Sequence, residues 1–545
     1  MKLDEIKNNL NEQQLSAVES DDKLILCLAG AGTGKTYTLI SRISRLILEG
    51  KCKPQNILAL TFTNAASAEM SQRYTKFMSE CESTRPEFRT FHSFCYSLLV
   101  KDIGVRNALG YSDIPKICTD ESFNMISRQV RTQCNIKLTD SQLKSGIKLK
   151  GNDRFQYDLY NKALTKAMVA QNTITFGRLC NEVCKLFTSD SPLIKKYKER
   201  YTYIFVDEFQ DTDPTQWMFV KSFIDSNIFI VGDALQALYG FRNADSTIIK
   251  KLANDEAWTT IKLYQNYRST KQICDFANNM SKYADDSYRI AINSSKEGER
   301  VYSSQAKRPD RFISVSAEML ESVLNDVNSM EGSIAILCRQ NREVTTVIDY
   351  LEDNEIELYS GSINENAKHI FKSGRDNDYM IEWLLSLMDS QTQSDWIRMC
   401  HLNNIETSDE KIKLILELCK NNKIIFNNIS SIRSLRKTIR NDNLSILERC
   451  VNAFKILNIK NTLIDTDAKD TKGLIEYIES VLNANSRKDV YVGTIHSSKG
   501  LEYDNVIVLN VDTKNFPLDS EENRNCYYVA ITRARKLLKI YWGSV

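Results

Sequence analysis

Residues Leu24 to Thr36 read LILCLAGAGTGKT, and this stretch predicts a buried strand, a phosphate-binding loop and a helix. Leu24 to Leu28 are all apolar, as in a central strand of a parallel sheet that is covered on both faces. The glycines that follow allow consecutive backbone N–H groups to face an anion, and the helix N-terminus adds its dipole. In this pattern Lys35 contacts the β and γ phosphates, and the Thr36 hydroxyl is a ligand of Mg²⁺.

The strict form of the loop pattern has glycine at its first position, where this chain has alanine. The order of strand, loop and helix nevertheless favours a nucleoside triphosphate site over a chance cluster of glycines. The predicted nucleotide-binding residues of the loop are Ala29, Gly30, Ala31, Gly32, Thr33, Gly34, Lys35 and Thr36. The loop alone does not indicate what the energy of hydrolysis is used for.

The chain has 545 residues, enough for several domains, and its apolar and charged fractions are those of a globular protein. A net charge of +2 does not point to a nucleic-acid partner, so a basic track would have to be local. The sequence has no apolar run long enough for a membrane span, and its N-terminus lacks the apolar core of a secretion signal. We therefore expect a cytoplasmic protein.

Fourteen cysteines are scattered along the chain and form no CxxC pair. Cys180 and Cys184 are one helical turn apart, but no second pair lies nearby in the sequence. Thiols that are buried as small apolar groups in a reducing compartment are the favoured interpretation. An iron–sulfur cluster is the alternative. The four histidines are too dispersed to predict a metal site.

Two acids follow another predicted strand, Tyr203 to Val206. Asp207 would hold Mg²⁺ through water, and Glu208 would orient and deprotonate the attacking water. A surface strand that ends in acids is the alternative interpretation. The phosphate loop upstream favours the catalytic one.

The strand predicted from Ile228 to Val231 leads to Gln236, which is placed to sense a γ-phosphate. Tyr239 and Phe241 come next, followed by Arg242. Aromatic rings beside a nucleotide site can stack on bases, because every base has a π-face. Packing in the core is an equally good interpretation of these two rings.

Four further residues suit nucleotide chemistry. Gln14 precedes the phosphate loop, and its amide can both donate to and accept from the edge of a base. Tyr267 can stack on a purine, and Arg268 offers a planar fork to phosphate oxygens. Arg533, near the end of the chain, could stabilise a transferring phosphoryl group from another domain, or it could be an ordinary arginine on a helix surface.

Taken together and in order, the motifs resemble those of the UvrD/Rep-like helicases of superfamily 1. The resemblance runs from Leu10 to Ala534 through LNEQQ, AGAGTGKT, TFTNAASAEM, TFHSF, VDEFQDTDPTQ, VGDALQALYGFRNA, LYQNYRST, GTIHSSKGLEY and YYVAITRA. It implies an α/β fold with two RecA-like parallel-sheet motor domains, each carrying a mainly α-helical insertion, and ATP between the motor domains.

On this pattern residues 1–93 and 197–275 form the first motor domain, and 94–196 its helical insertion. Residues 276–370 and 486–545 form the second motor domain, and 371–485 a shortened second insertion. Little sequence follows the last motif, so we expect no fused nuclease domain. A compact member of this kind is similar to the helicase subunits of antiphage systems.

The resemblance also implies roles for single residues, with ATP and Mg²⁺ as cofactors. Gln14 would bind adenine, Tyr267 would stack on it, and Glu502 would bind the ribose. Gln236, Arg268 and Arg533 would contact the γ-phosphate, beside Lys35, Asp207 and Glu208. The positions that match a track for DNA are Phe62, Thr63, Asn64, His92, Tyr239, Phe241, Arg242, Thr494 and His496.

The implied activity is an ATP-driven 3′–5′ DNA helicase that moves on single-stranded DNA and opens tailed duplexes. Two alternatives remain. One is a DNA-dependent ATPase motor that serves a separate nuclease or a repair or defence partner, and the other is a nucleotide-sensing subunit. The chain departs from the usual pattern at Ala65, where lysine is usual, and at Phe241, where tryptophan is usual. The hydrolytic positions are intact.

Overall fold

A computed structural model describes residues 3–78, 84–145, 149–189, 191–238, 240, 244–306, 315–356, 358, 490–511 and 516–543. The chain forms two compact units. The first comprises Met1–Ser304, Ile495–Glu502 and Val511–Trp542, and the second comprises Gln305–Thr494, Tyr503–Asn510 and Gly543–Val545. The boundaries of the four predicted domains stay a prediction. The predicted second insertion, residues 371–485, lies outside the described residues.

The described strands are β1 Leu24–Ala29, β2 Ile57–Thr61, β3 Glu87–Thr90, β4 Lys116–Ile117, β5 Thr173–Ile174, β6 Tyr203–Val206, β7 Asn227–Gly232, β8 Thr259–Leu263, β9 Tyr302–Ala306, β10 Ile334–Cys338, β11 Val490–Thr494, β12 Tyr503–Val511 and β13 Ala534–Gly543. The first unit contains a six-stranded sheet in the order β3-β2-β6-β7-β1-β8, in which neighbouring strands are parallel.

The central strands of this sheet are buried along almost their whole length, which explains their continuous apolar runs. In the register, Leu28 on β1 lies opposite Gly232 on β7, and Ala29 lies opposite Leu263 on β8. Helices pack against the sheet through apolar residues such as Leu39 and Ile43 of the helix that follows the phosphate loop. The predicted α/β class with a parallel sheet is confirmed.

The described α-helices are α1 Leu3–Asn8, α2 Glu12–Glu19, α3 Lys35–Leu48, α4 Asn64–Met78, α5 Phe91–Lys101, α6 Ile103–Ala108, α7 Asp120–Gln133, α8 Asp140–Ser145, α9 Gly151–Ala170, α10 Phe176–Phe187, α11 Pro192–Arg200, α12 Pro214–Lys221, α13 Thr247–Leu252, α14 Lys271–Ser281, α15 Ala317–Ser329, α16 Asn341–Asp353 and α17 Glu521–Ile531.

The segment that contains α6 to α11 is mainly helical, as the sequence predicts. It also contains one parallel pair of two-residue strands, β4 and β5, which the sequence analysis did not find. Two residues are too few to show the alternation by which a strand is recognised in a sequence. The helices α7 and α9 enclose an apolar cluster of their own around Ile126, Tyr160 and Leu164.

A cluster of aromatic side chains joins α5, α10 and α12 beside the sheet. The ring of Phe187 on α10 lies 4.7 Å from that of Phe219 on α12, and the ring of Phe94 on α5 lies 5.6 Å from Phe219. Phe223 also packs against Phe219, at 5.2 Å between ring centres. All four rings are buried. Phe219 touches the other three rings, as Phe187 also does, so both lie at the centre of this cluster.

Truncating Phe219 to alanine should therefore lower the free energy of unfolding by about 3–5 kcal/mol, since it removes a buried ring and leaves a cavity. The measurement is the urea midpoint together with its slope. Phe155→Ala is the matched control, because its ring on α9 is 67% exposed. Its effect should stay within about 0.5 kcal/mol. Equal losses from both variants would contradict the central role of Phe219.

In the second unit, β10 lies between β11 and β12 and pairs in parallel with both. This agrees with the second parallel-sheet domain that the motifs imply. Asn510, at the end of β12, donates from Nδ2 to Glu343 Oε1 on α16 at 2.9 Å, and both residues are buried. No helix among the described residues is long and apolar enough to cross a membrane.

Candidate functional site

Most of the predicted site residues of the first unit follow the carboxyl ends of its parallel strands. The phosphate loop follows β1, Asp207 and Glu208 follow β6, and the turn that carries Gln236 follows β7. In a parallel sheet these ends meet at one edge, which is where open α/β sheets bind their ligands. The sheet order places β6, β7 and β1 side by side, so these three segments are neighbours.

The phosphate loop is held by an asparagine that the sequence analysis did not single out. Asn266, which is buried, donates from Nδ2 to the Ala31 carbonyl at 2.7 Å. Gly32 has a φ of +68°, and a Cβ at this position would lie 2.7 Å from Asn266 Nδ2. Within the loop, the Thr33 hydroxyl donates to the Gly30 carbonyl at 2.8 Å. Position 32 therefore requires glycine for two reasons: the backbone is left-handed, and Asn266 lies too close for a Cβ.

Lys35 and Thr36 begin α3 at the end of this loop. The Lys35 ammonium donates to the Ala29 carbonyl at 3.3 Å and to the Gly30 carbonyl at 3.5 Å. It thus lies along the loop where a phosphate group would be bound. Thr36 Oγ1 donates to Asp207 Oδ2 at 2.9 Å.

The hydroxyl of Thr36 and the carboxylate of Asp207 are hard oxygen donors of the kind that Mg²⁺ prefers. The two groups are in direct contact, so they fit a shared magnesium site. Burial, together with the charge of Glu208, raises the pKa of Asp207 to about 7. A bound divalent cation would favour the ionised carboxylate, because it supplies the largest positive charge in the site.

Glu208 has a left-handed backbone, with a φ of +51°, which is uncommon for a residue with a Cβ. Gln210 fixes its side chain by donating from Nε2 to Glu208 Oε2 at 2.6 Å. Gln210 in turn accepts from the backbone N–H of Asp233 at 3.0 Å. Although burial disfavours a charge here, the Lys35 and Lys499 charges lower the pKa of Glu208. The carboxylate is therefore ionised, as a general base requires.

Arg533 is buried next to Gln236. Its Nη2 donates to Gln236 Oε1 at 3.3 Å, and its Nε and Nη1 donate to the carbonyls of Val529 and Leu501 at 3.0 and 3.2 Å. Burial, and then the Arg268 charge, lower the pKa of Arg533 to about 9. The hydrogen bonds described for this guanidinium go to neutral oxygens, so an anionic group placed here would offset much of its desolvation cost.

The pattern YYVAITRA predicts a helix that continues through Arg533 and Ala534, and this is corrected by the structure. Helix α17 ends at Ile531, and Ala534 begins β13. Thr532 closes the helix by donating its backbone N–H to the carbonyl of Tyr528. Arg533 lies in the connection between the two elements, which turns its side chain towards Gln236. It is a buried residue and not an arginine on a helix surface.

Arg268 and Glu502 form an ion pair within the first unit. Arg268 also donates from Nη1 to the Thr532 carbonyl at 2.9 Å, and Glu502 pairs with Arg535 as well. Although burial disfavours its charged form, the Arg268 charge lowers the pKa of Glu502. The structure thus brings Arg268, Glu502 and the segment before Arg533 together, and the predicted ribose contact of Glu502 stays a prediction.

Gln14 and Tyr267 both contact the phosphate loop. Gln14 donates from Nε2 to the Thr33 carbonyl at 3.0 Å, and its Oε1 accepts from the backbone of Asn11 at 3.2 Å. The exposed ring of Tyr267 is held at its hydroxyl by Asn11 Nδ2, at 2.7 Å, and its backbone N–H donates to the Gly32 carbonyl. A glutamine and an exposed ring thus border the loop, as expected for binding a base.

Lys499 and Asp211 form a buried ion pair that the sequence analysis missed. Lys499 also donates to the carbonyl of Gln236 at 2.9 Å. Asp211 is almost fully buried. Burial raises the pKa of Asp211 to about 6, against the opposing charge of Lys499. The pair ties the segment after β6 to the turn that carries Gln236.

Lys499→Met should lower the free energy of unfolding by about 3–5 kcal/mol, because it leaves the buried Asp211 carboxyl without its compensating cation. The double variant Asp211→Asn with Lys499→Met should recover much of this loss, since no charge then remains. Chemical denaturation of the wild type, both single variants and the double variant gives the coupling energy. Additive effects of the two substitutions would contradict a direct pair.

On the other half of the sheet, β2 and β3 pair in parallel, with Thr61 opposite Thr90. Phe62, Thr63 and Asn64 follow β2, and His92 follows β3. Thr63 and Asn64 are exposed, and Thr63 Oγ1 accepts from the backbone of Ala66 at 3.1 Å. The His92 ring lies edge-on to Phe176, at 6.5 Å. These four candidates for a DNA track thus follow neighbouring strand ends of one sheet.

The other five candidates for the DNA track do not follow β2 or β3. Tyr239, Phe241 and Arg242 lie outside the described residues. Thr494 ends β11 in the second unit, and His496 belongs to the first unit. Both residues are partly exposed. Their role in binding DNA stays a prediction.

Family models place the site in a known context. Residues 10–257 match the UvrD/REP helicase N-terminal domain, and residues 261–364 and 360–544 match the UvrD-like helicase C-terminal domain. The chain belongs to the UvrD-like helicase family. The resemblance drawn from the motifs is confirmed, and the chain is an enzyme of the helicase class with that family's two-domain architecture.

Three curated members of the UvrD-like helicase family are similar to the chain over nearly its whole length. The probable DNA helicase II homolog of Mycoplasma genitalium is 25% identical, over 97% of this chain and 84% of its own. The ATP-dependent DNA helicase PcrA of Staphylococcus aureus is 26% identical, over 98% and 83%. The probable DNA helicase II homolog of Rickettsia conorii is 28% identical, over 98% and 92%.

Proposed function

We propose that the chain is an ATP-dependent DNA helicase that moves 3′ to 5′ on single-stranded DNA and separates the strands of tailed duplexes. One observation carries this proposal. In a chain of the UvrD-like helicase family, four side chains meet at the carboxyl-end edge of one sheet: Lys35, Glu208, Gln236 and Arg533. Relatives that are similar over nearly the whole of this chain carry the names probable DNA helicase II homolog and ATP-dependent DNA helicase PcrA. The 3′–5′ direction rests on the resemblance in the motifs.

Each residue of the site has a separate role in phosphoryl transfer. The phosphate loop and Lys35 bind the β and γ phosphates, and Thr36 and Asp207 would hold Mg²⁺. When bound, Mg²⁺ neutralises charge on the phosphate oxygens. Glu208, oriented by Gln210, accepts a proton from the attacking water. Arg533 offsets the negative charge that develops on the transferring group.

Coupling to DNA would use the neighbouring strand ends. Phe62, Thr63, Asn64 and His92 follow β2 and β3, and the acids Asp207 and Glu208 follow β6, which pairs with β2. A change in the position of Glu208 during hydrolysis can therefore reach the DNA-facing segments through one strand. We infer that hydrolysis moves these segments relative to the bases, as a gating motion coupled to binding.

Replacing Phe62 with alanine tests the DNA track. If the ring stacks on a base, its loss should weaken binding of single-stranded DNA by about 1–3 kcal/mol, and should reduce DNA-stimulated ATPase more than basal ATPase. The two rates are measured with and without an oligonucleotide, and affinity is measured by fluorescence anisotropy. Phe155→Ala, on an exposed helix face, is the control. Equal loss of both rates would assign Phe62 to packing instead.

The whole proposal is tested by strand separation on three DNAs that share one duplex: 3′-tailed, 5′-tailed and blunt. We expect ATP-dependent unwinding of the 3′-tailed DNA alone, and none with Lys35→Ala. Unwinding only from a 5′ tail would overturn the direction. Strong stimulation of ATPase by single-stranded DNA without any unwinding would instead favour a motor that serves a separate partner. Slow hydrolysis that is indifferent to DNA would favour a nucleotide sensor.

A further inference from the structure

Three cysteines from two helices meet in the interior of the first unit. Cys95 lies on α5, and Cys180 and Cys184 lie one turn apart on α10. Their sulfur atoms all lie within 4.8 Å of one another, and the Sγ atoms of Cys180 and Cys184 are 3.9 Å apart. The three residues are 1%, 3% and 0% exposed. The sequence shows only the Cys180–Cys184 pair, because Cys95 is remote along the chain.

We propose that Cys95, Cys180 and Cys184 form a trithiolate site for one soft metal ion, of the class to which Zn²⁺ and Cu⁺ belong. Soft thiolate ligands select these ions over Mg²⁺, Ca²⁺ and other hard cations. Three sulfurs at about 2.3 Å from one ion are separated from each other by about 3.8–4.0 Å. The observed separations reach this arrangement with shifts of about 1 Å or less. The proposal is independent of the proposed helicase activity.

Groups from three elements face this triad. His92, one turn before Cys95 on α5, and the side chain of Gln216 on α12 both lie close to Cys180. Asp213, which caps α12, lies close to Cys184. A bound cation would replace the thiol protons of the three cysteines, and these protons would be released to solvent. It would also compensate the thiolate charge that burial otherwise penalises.

A metal ion here would cross-link two parts of the first unit. Helix α5 begins beside the predicted DNA track, and α10 belongs to the predicted helical insertion. The link would run parallel to the aromatic contact between Phe94 and Phe187. The ion would enter during folding, because the folded site is closed to solvent and structural metal binding is coupled to folding.

The first test uses the untagged wild-type chain, expressed with added zinc or added copper and purified anaerobically without chelators. Elemental analysis should give one equivalent of Zn²⁺ or Cu⁺ per chain, whichever of the two the site prefers. X-ray absorption at the metal edge should show three sulfur neighbours at about 2.3 Å. Binding of neither ion, or a coordination shell of nitrogen and oxygen, would overturn the proposal.

The second test compares substitutions of equal chemistry and burial. Cys180→Ser and Cys95→Ser should each lower the affinity for the ion at least tenfold in competition with a chromophoric chelator. Cys274→Ser is the matched control, because Cys274 is also fully buried in the first unit but lies on α14. It should keep one equivalent at wild-type affinity. Loss of the ion from Cys274→Ser as well would overturn the assignment of the site.

Serine at a buried position can prevent folding, so a third variant covers that case. The chain with alanine at all three positions keeps an apolar interior, as buried thiols do. Its folding is verified by circular dichroism and ATP hydrolysis. The proposal requires that this folded variant binds neither ion and that its melting temperature no longer rises when the ion is added. A folded triple variant that still retains one equivalent would overturn the proposal.

Discussion

Replacing Arg533 with alanine should lower kcat for ATP hydrolysis by about 10³- to 10⁵-fold, the range that removal of an arginine finger produces. The guanidinium is buried, its described acceptors are neutral oxygens, and it touches Gln236. A cation held in this way interacts most strongly with negative charge that appears only in the transition state. The effect should therefore appear in kcat, with a much smaller change in the affinity for ATP.

The stability of the Arg533→Ala variant distinguishes a catalytic role from a structural one. Removing a buried cation relieves its desolvation cost, which offsets the loss of hydrogen bonds to Val529 and Leu501. We therefore expect a melting temperature close to that of the wild type. Arg535→Ala is the control, because Arg535 pairs with Glu502 but is 44% exposed. A large fall in melting temperature together with activity would assign Arg533 to structure.

Much of the fold could be predicted because its central strands are uniform apolar runs. The sequence placed β6 at its observed bounds, and β1 within one residue. Strand β8 was not predicted, because TTIKL at the edge of the sheet mixes polar and apolar residues without clear alternation. The end of α17 was missed for a related reason, since no glycine or proline marks it.

The residue types of the site could also be predicted, but the contacts that support them could not. The motifs contain Asn266, Gln210 and Lys499, yet nothing in their spacing shows which atoms they bind. Asn266 reaches the loop carbonyl of Ala31 from a remote segment, and Lys499 reaches Asp211 in the same way. Such pairs depend on the packing of elements that are far apart in sequence. The contact of Cys95 with Cys180 and Cys184 could not be predicted for the same reason.

The second large effect is expected from Glu208, because a general base must be ionised to accept a proton. Glu208→Gln should lower kcat by about 10²- to 10⁴-fold and leave ATP binding nearly unchanged. The amide has the same shape as the carboxylate, and its oxygen can still accept from Gln210 Nε2. The positive charge of Lys35 beside it is retained. The loss should therefore be specific to proton transfer, and it is measured by steady-state hydrolysis alongside equilibrium binding of a fluorescent ATP analogue.

Two control variants distinguish the role of Glu208 in catalysis from the roles of neighbouring residues. Lys35→Ala should abolish both hydrolysis and tight nucleotide binding, whereas Glu208→Gln should abolish only hydrolysis. Gln210→Ala should keep the base but lose its orientation, so its kcat should fall less than that of Glu208→Gln. If all three variants lose ATP binding alike, the effects would reflect a collapsed site. If Glu208→Gln turns over normally, another group accepts the proton, and Asp207 becomes the residue to test.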